Sequence, residues 1–249
     1  MLFAICEVNM KIVIVHGSPR KGNTYGATQT FKDEMLKHGE VEFVEFFLPK
    51  DMPEFCCGCM SCFLNGEETC PHSKYTMPLL EQMLSADALI FTTPVFALQT
   101  SGCMKSFLDH FAFIFLVHRA RQEMFKKKAF IISTTVGAGA KDAMKTVSTS
   151  LKYWGVNRVY SYSFATFGDE WRGMKADKKD KIISKIQKKA NLFYKEVSTG
   201  KRHYSYLLMR IMFSVSRFIM KKYNDDSSLD KKYWAEKGWL SGVNSPFKD

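Results

Sequence analysis

No G-x-G-x-x-G dinucleotide fingerprint and no G-x-x-x-x-G-K-[ST] triphosphate loop occurs in the 249 residues. A pyrophosphate cradle and a magnesium-dependent nucleotide site are therefore not expected. No charged leader followed by a long apolar run opens the chain, so the pattern of a secretory signal is missing. There is no internal repeat and no low-complexity tract, which argues against solenoids and disordered arms. Cysteine is odd in number, seven residues, and fits a reducing, cytoplasmic setting better than a disulfide scaffold. No acid–base pair or activated nucleophile stands out.

What is present supports one large domain. Hydrophobic residues make up 46% of the chain, and a chain of this size buries roughly three quarters of its unfolded surface. The formal net charge is +11, but the lysines concentrate at 126–128 and at 175–195, the second run interleaved with apolar residues at helical spacing. That is the pattern of a solvated helix face, and no nucleic-acid partner is expected.

The organising stretch is Lys11 to Thr24, KIVIVHGSPRKGNT. A β-branched run ends at Gly17, passes through a short polar loop and enters a helix with apolar spacing at Phe31, Met35 and Leu36. It reads as a buried parallel strand, a phosphate loop and a helix capped by Asn23 or Thr24. Unpaired N–H groups and the positive end of the helix dipole favour an anion there. Further strands are expected at Val41–Phe47, Ala88–Thr93, Ala129–Thr134 and Arg158–Phe164, with helices at Thr24–Lys37, Met77–Ser85, Thr100–Phe115, Asp142–Tyr153 and Asp177–Val197. Alternating strands and helices imply a doubly wound, five-stranded parallel sheet. Order 2-1-3-4-5 would bring the loops after strands one and three together at a switch point. The loop after strand three, with Pro94, Val95 and Phe96, offers backbone amides and a flat ring to a planar ligand. The loop after strand four, Thr135-Val136-Gly137, has small residues that allow close approach.

The runs GSPRKGNT, Thr93–His110 and Val117–Gly139 together resemble the flavodoxin-like NAD(P)H-dependent FMN reductase superfamily, near its iron–sulfur flavoprotein branch. The resemblance covers about residues 10–200. It implies a flavodoxin-like fold and an FMN whose phosphate lies on Ser18, Arg20, Asn23 and Thr24, with Lys21 in the same cradle. The isoalloxazine would lie against Pro94, Val95, Phe96 and the Thr135, Val136, Gly137 turn. It also implies NAD(P)H as co-substrate, a small acceptor such as a quinone, flavin or nitroaromatic, and a homodimer with flavin sites near the interface. The runner-up is an iron–sulfur flavoprotein that carries electrons between protein partners. Two departures stand out: His110 where the family often has Arg, and Ala120 where it often has Pro after His118-Arg119. Those two residues read as a subunit contact, a nicotinamide-phosphate contact or surface charge, and Lys105 with Asp109 reads as a helix-surface pair.

Cys56, Cys59, Cys62 and Cys70 form C-x2-C-x2-C-x7-C followed by Pro71. Four convergent thiolates at such spacing suit a [4Fe–4S] cluster, while reduced or disulfide-forming thiols and zinc remain alternatives. Cys6, Cys57 and Cys103 read as small buried residues. His16 reads as a satisfied structural imidazole beside the phosphate loop. Met1–Asn9 is expected to be a dispensable extension, 10–200 the FMN domain and 201–249 a helical C-terminal extension. In that extension Tyr204–Lys222 is a cationic amphipathic helix. Its seven Leu, Ile, Val and Phe contribute about −0.3 to −0.6 kcal/mol each, against about 2.5–3.5 for each central Arg, so it does not span a bilayer. A membrane surface is not the expected partner; the Trp234–Trp239 tail needs burial against the domain or a partner subunit, and this helix and the tail are expected to hold a dimer together.

Overall fold

The computed structural model describes residues 10–200, 205–222, 225–242 and 244–247; the Met1–Asn9 extension, Cys6 included, lies outside them. Five strands, β1 (Met10–His16), β2 (Val41–Phe47), β3 (Ala88–Pro94), β4 (Lys128–Thr135) and β5 (Arg158–Ala165), form one sheet. Its order is β2-β1-β3-β4-β5, and every pairing is parallel. The expected flavodoxin-like architecture and strand order are those observed.

The β-branched runs form strands because both faces of the sheet are covered. Val13, Val15, Leu89, Phe91, Ala129 and Ile131 point into a core with α3 (Ser73–Ser85), α4 (Gly102–His110) and α5 (Ala140–Tyr153). Their neighbours Ile12, Ile14, Ala88, Ile90, Phe130 and Ile132 point the other way, against α1 (Asn23–Leu36) and α6 (Ala176–Ser198). A short helix, α2 (Ser61–Leu64), carries Cys62 between β2 and α3.

Three expectations change. Neither Asn23 nor Thr24 caps α1; Gly22 is the N-cap and no side chain caps the helix. The third helix starts at Ser73 rather than Met77 and holds Pro78 in its interior, where the missing N–H would ordinarily mark a helix start. Burial of Thr76, Leu79, Leu80 and Met83 on one face supplies the packing that outweighs the lost hydrogen bond. Third, the tryptophans of the C-terminal tail need no partner subunit. α7 (Ser205–Lys222) and α8 (Leu229–Glu236) close on Leu116 and Phe125, burying Trp234 and Trp239 with Met209, Phe213 and Met220. Phe213 stacks on Trp234 at 4.8 Å and meets Trp239 edge-on at 5.1 Å.

At the end of β1, His16 is buried and stacked on Phe47 at 4.3 Å. Its Nε2 lies 2.9 Å from Glu45 Oε2 and its Nδ1 3.1 Å from Thr92 Oγ1. Burial by itself would raise the Glu45 pKa, but hydrogen bonds from His16 and Lys32 override it and hold the carboxyl down to about 2. With Glu45 ionised, His16 Nε2–H donates to it and Nδ1 accepts from the Thr92 hydroxyl.

A carboxyl depressed in the folded state stabilises above its unfolded pKa of about 4.3, and that contribution fades as pH falls toward the folded value. Glu45→Gln is expected to cost about 1.5–3 kcal/mol at pH 7, the worth of a charge-assisted bond, and to flatten the acid limb of stability. Denaturant melts of both proteins between neutral and acid pH check this. An acid limb as steep in the variant as in the parent would assign it to another group.

Candidate functional site

The loops after β1, β3, β4 and β5 enclose a cleft of about 580 Å³ at the C-terminal edge of the sheet. Ser18, Arg20, Lys21, Asn23 and Thr24 line one end. Pro94, Val95 and Phe96, with Thr135 and Val136, line the rest. Of the expected cofactor positions, Gly137 is outside the lining; its N–H turns back to the Thr135 hydroxyl at 3.2 Å. The sequence reading missed the fourth wall, Gly168 to Arg172, which includes Trp171. The available signal was an aromatic residue between Gly168 and Gly173 directly after the fifth strand.

The polar end is built for an anion. Because α1 has no side-chain cap, its first-turn N–H groups are orphan donors at the positive end of the helix dipole. Arg20 pairs with Glu170 at 3.3 Å while both side chains stay more than three-quarters exposed, so the pair is solvent-screened and can yield to a phosphate. Ser18 Oγ accepts the Arg20 N–H at 3.1 Å and shapes the turn. Asn23 donates to the Asp169 carbonyl at 2.9 Å, and its buried Oδ1 has no protein partner. Thr24 and Thr134 hydroxyls meet at 2.5 Å, tying the first turn of α1 to β4. The donor set therefore fits a phosphate: orphan amides, hydroxyls and exchangeable cations at one helix N-terminus.

The other end is apolar and strained. Phe96 and Gln99 exchange both backbone hydrogen bonds, at 3.0 and 2.9 Å, around Ala97 and Leu98, both left-handed at φ 46° and 64°. Non-glycine residues there cost roughly 1–2 kcal/mol each, and such strain concentrates at functional loops. The turn leaves Phe96 and Leu98 more than half exposed. Gly139 (φ +85) admits this turn, since a Cβ would fall 2.6 Å from Leu98 Cα.

The second cluster is a small hollow beside α4, lined by Cys56, Cys59, Cys62 and Cys70 together with Cys57, His72 and His110. All six described cysteines are free thiols. Cys57 is exposed, which corrects its assignment as a buried residue, because the cysteine loop runs over the surface; Cys103 is half-buried and packs against the core. Burial, with the neighbouring thiols adding to it, pushes the Cys62 thiol up to about 11, and burial also raises Cys70. Thiols that oppose each other's ionisation gain a counter-charge from a multiply charged metal centre. His110 donates from Nδ1 to the Ser106 carbonyl at 2.9 Å, so its Nε2 accepts from His72 Nδ1 at 2.9 Å. Burial lowers the His110 pKa. Lys105 and Asp109 form the expected exposed helix pair at 2.5 Å.

Arg119 is neither surface charge nor free for a nicotinamide phosphate. It is 4% exposed and donates to Glu67 at 3.1 Å, to Asp230 and to the Cys62 carbonyl. His118 also contacts Asp230, at 2.6 Å. The C-terminal extension is thereby clamped to the cysteine loop.

A parallel doubly wound sheet whose C-terminal loops join an anion-binding helix N-terminus to a planar apolar wall defines a flavodoxin-like mononucleotide-binding protein. Residues 10–168 match the NADPH-dependent FMN reductase family. The chain belongs to that family and is an NAD(P)H-dependent flavin oxidoreductase, with FMN as its cofactor. It is similar to an iron–sulfur flavoprotein of Archaeoglobus fulgidus, 26% identical over 93% of this chain and all of the relative. In fold it resembles an FMN-dependent NADH-azoreductase of Bacillus anthracis solved with FMN (TM-score 0.59, 11% identity, 74% of this chain and 99% of that one). An NAD(P)H:quinone oxidoreductase of Methanothermobacter marburgensis is comparably close in fold (TM-score 0.58, 15% identity, 79% of this chain and all of that one).

The strained turn makes opposite predictions for its two sides. Leu98→Gly is expected to be neutral or stabilising by up to about 1 kcal/mol, because glycine adopts the left-handed conformation without strain. Gly139→Ala is expected to cost about 1–3 kcal/mol through collision with the Leu98 backbone. In thermal melts Gly139→Ala should fall below the parent and Leu98→Gly should match or exceed it; a melt of Gly139→Ala matching the parent would show that the turn moves freely.

Proposed function

We propose that FMN lies in the cleft with its phosphate on Ser18, Arg20, Lys21, Asn23, Thr24 and the first-turn amides of α1, and its ring system against Pro94, Val95, Phe96, Thr135 and Val136. The acceptor of its electrons is a small planar molecule: a quinone, a free flavin or a nitroaromatic. The observation that carries this reading is the joining, in one cleft, of an uncapped helix N-terminus and an exposed aromatic wall. FMN, when bound, supplies hydride acceptance from NAD(P)H at its N5 and electron delivery onward. The chain's own residues then bind and orient. The α1 N-terminus holds the charged tail, and the Val95 N–H, which donates to the Thr134 carbonyl at 2.9 Å, keeps the wall in register with β4. Phe96, more than half exposed, leaves room for a planar acceptor beside it. The apolar rim made by Phe96, Leu98, Val136 and Phe167, all more than half exposed, is the surface on which a second copy would pack as a homodimer.

A second reading is favoured by the presence of Cys56, Cys59, Cys62 and Cys70 in the lining of one hollow. In it these four thiolates hold a [4Fe–4S] cluster, and the protein relays single electrons to protein partners. The naming of the Archaeoglobus relative as an iron–sulfur flavoprotein supports the cluster. Direct turnover of NAD(P)H with a quinone, without added protein partner, separates the two readings.

Ser18→Ala with Thr24→Ala is expected to weaken FMN by about 2–4 kcal/mol, taking about 1–2 for each lost hydrogen bond. Titration of FMN into flavin-free protein measures this, and wild-type affinity would move the phosphate elsewhere. For the cluster, anaerobically purified protein is expected to contain iron and acid-labile sulfide. Alanine at Cys56, Cys59, Cys62 or Cys70 should each remove the cluster absorbance, whereas Cys57→Ala should retain it because the x2 register skips that residue. Protein free of iron and sulfide would leave the cysteines as thiols.

A further inference from the structure

We propose that the outer face of α7 docks on an anionic lipid surface. The helix is amphipathic twice over. Its inner face is used: Met209, Phe213, Ser216 and Met220 are buried, packed with Trp234 and Trp239. Its outer face is not. Leu207, Leu208, Ile211, Val215, Phe218 and Ile219 are each about half exposed, from 48% to 58%. At 3.6 residues per turn these six fall within one arc of roughly 120°. Six large apolar side chains on one exposed arc need cover of their own.

The charges decide what covers them. Arg210, Arg217 and Lys221 run along one edge of the arc, Lys222 lies at its C-terminal end, and the helix contains no Asp or Glu. Among the described residues none of the four forms an ion pair, and Arg217 Nε is buried with no hydrogen-bond partner. The α7 of a second copy offers nothing to meet these charges, since that helix has no Asp or Glu. Antiparallel two-fold pairing of α7 would set both cationic edges on the same side of the pair, and parallel pairing would bring the two Lys222 side chains together. A lipid surface supplies both requirements together: acyl chains for the apolar arc and anionic headgroups for the edge. The helix lies on that surface and does not cross it, since no helix among the described residues is long and apolar enough to span a membrane.

The test is co-sedimentation of the full-length, flavin-loaded protein with vesicles of phosphatidylcholine, with and without phosphatidylglycerol. Binding is expected only to the anionic vesicles and should be released by high salt. Arg210→Gln and Lys221→Gln should each weaken it about fivefold, from about 1 kcal/mol per cation at the surface. Ile211→Glu with Val215→Glu should abolish it while flavin absorbance and melting temperature stay at parental values, which separates lost docking from lost folding. Equal sedimentation with both vesicle types, or retained binding in the glutamate variant, would overturn the proposal. So would absence of binding combined with conversion of a dimer to a monomer by the glutamate variant, which would make the face a self-interface.

Discussion

The structure depends on the junction at Gly17. Its N–H donates to the Thr92 carbonyl at 2.6 Å, and its own carbonyl accepts from the Ser101 hydroxyl at 2.6 Å. A Cβ on Gly17 would fall 2.8 Å from the Thr92 oxygen, so the close crossing requires glycine. This contact joins the end of β1 to β3 and to the start of α4 at the point where the strand order reverses. The phosphate loop emerges from it, and the wall from Pro94 to Leu98 begins two residues beyond Thr92. Both ends of the cleft therefore take their separation from one backbone approach.

The same helix that locks Gly17 reaches the cysteine hollow. Cys103 Sγ contacts the Gly17 carbonyl at 3.2 Å, Ser106 Oγ accepts the Cys56 N–H at 3.0 Å, and His110 lines the hollow. At 1.5 Å per residue, Cys103 to His110 spans only about 10 Å. The cleft and the cysteine hollow are thus fixed to one rigid element. On its far side the hollow is held by Arg119, whose guanidinium binds Glu67, Asp230 and the Cys62 carbonyl. A buried charge of this kind is tolerated because its donors are met. Removing one partner would leave the rest uncompensated, which makes the C-terminal extension part of the support of the cysteine loop.

The amino-acid sequence by itself determined the sheet. Runs such as Ile12–Val15 and Ala88–Phe91 are apolar at every position, and only a strand covered on both faces uses such a run. The polar loop from Ser18 to Thr24, the Pro94–Phe96 segment and the x2 spacing of the cysteines were also legible, because each is a local pattern with a local chemical meaning. Tertiary structure decided the rest. Pro78 sits inside a helix because packing of Leu79, Leu80 and Met83 outweighs a local breaker. Trp171 joins the cleft because β5 lies beside β4, a neighbour relation that no window of sequence contains. Arg119 passes from apparent surface charge to buried clamp through partners 52 and 111 residues away, and Trp234 and Trp239 find their cover on their own chain. Periodicity records which face of an element is apolar; what lies against that face is set by contacts distant in sequence, and these form only when the chain has closed.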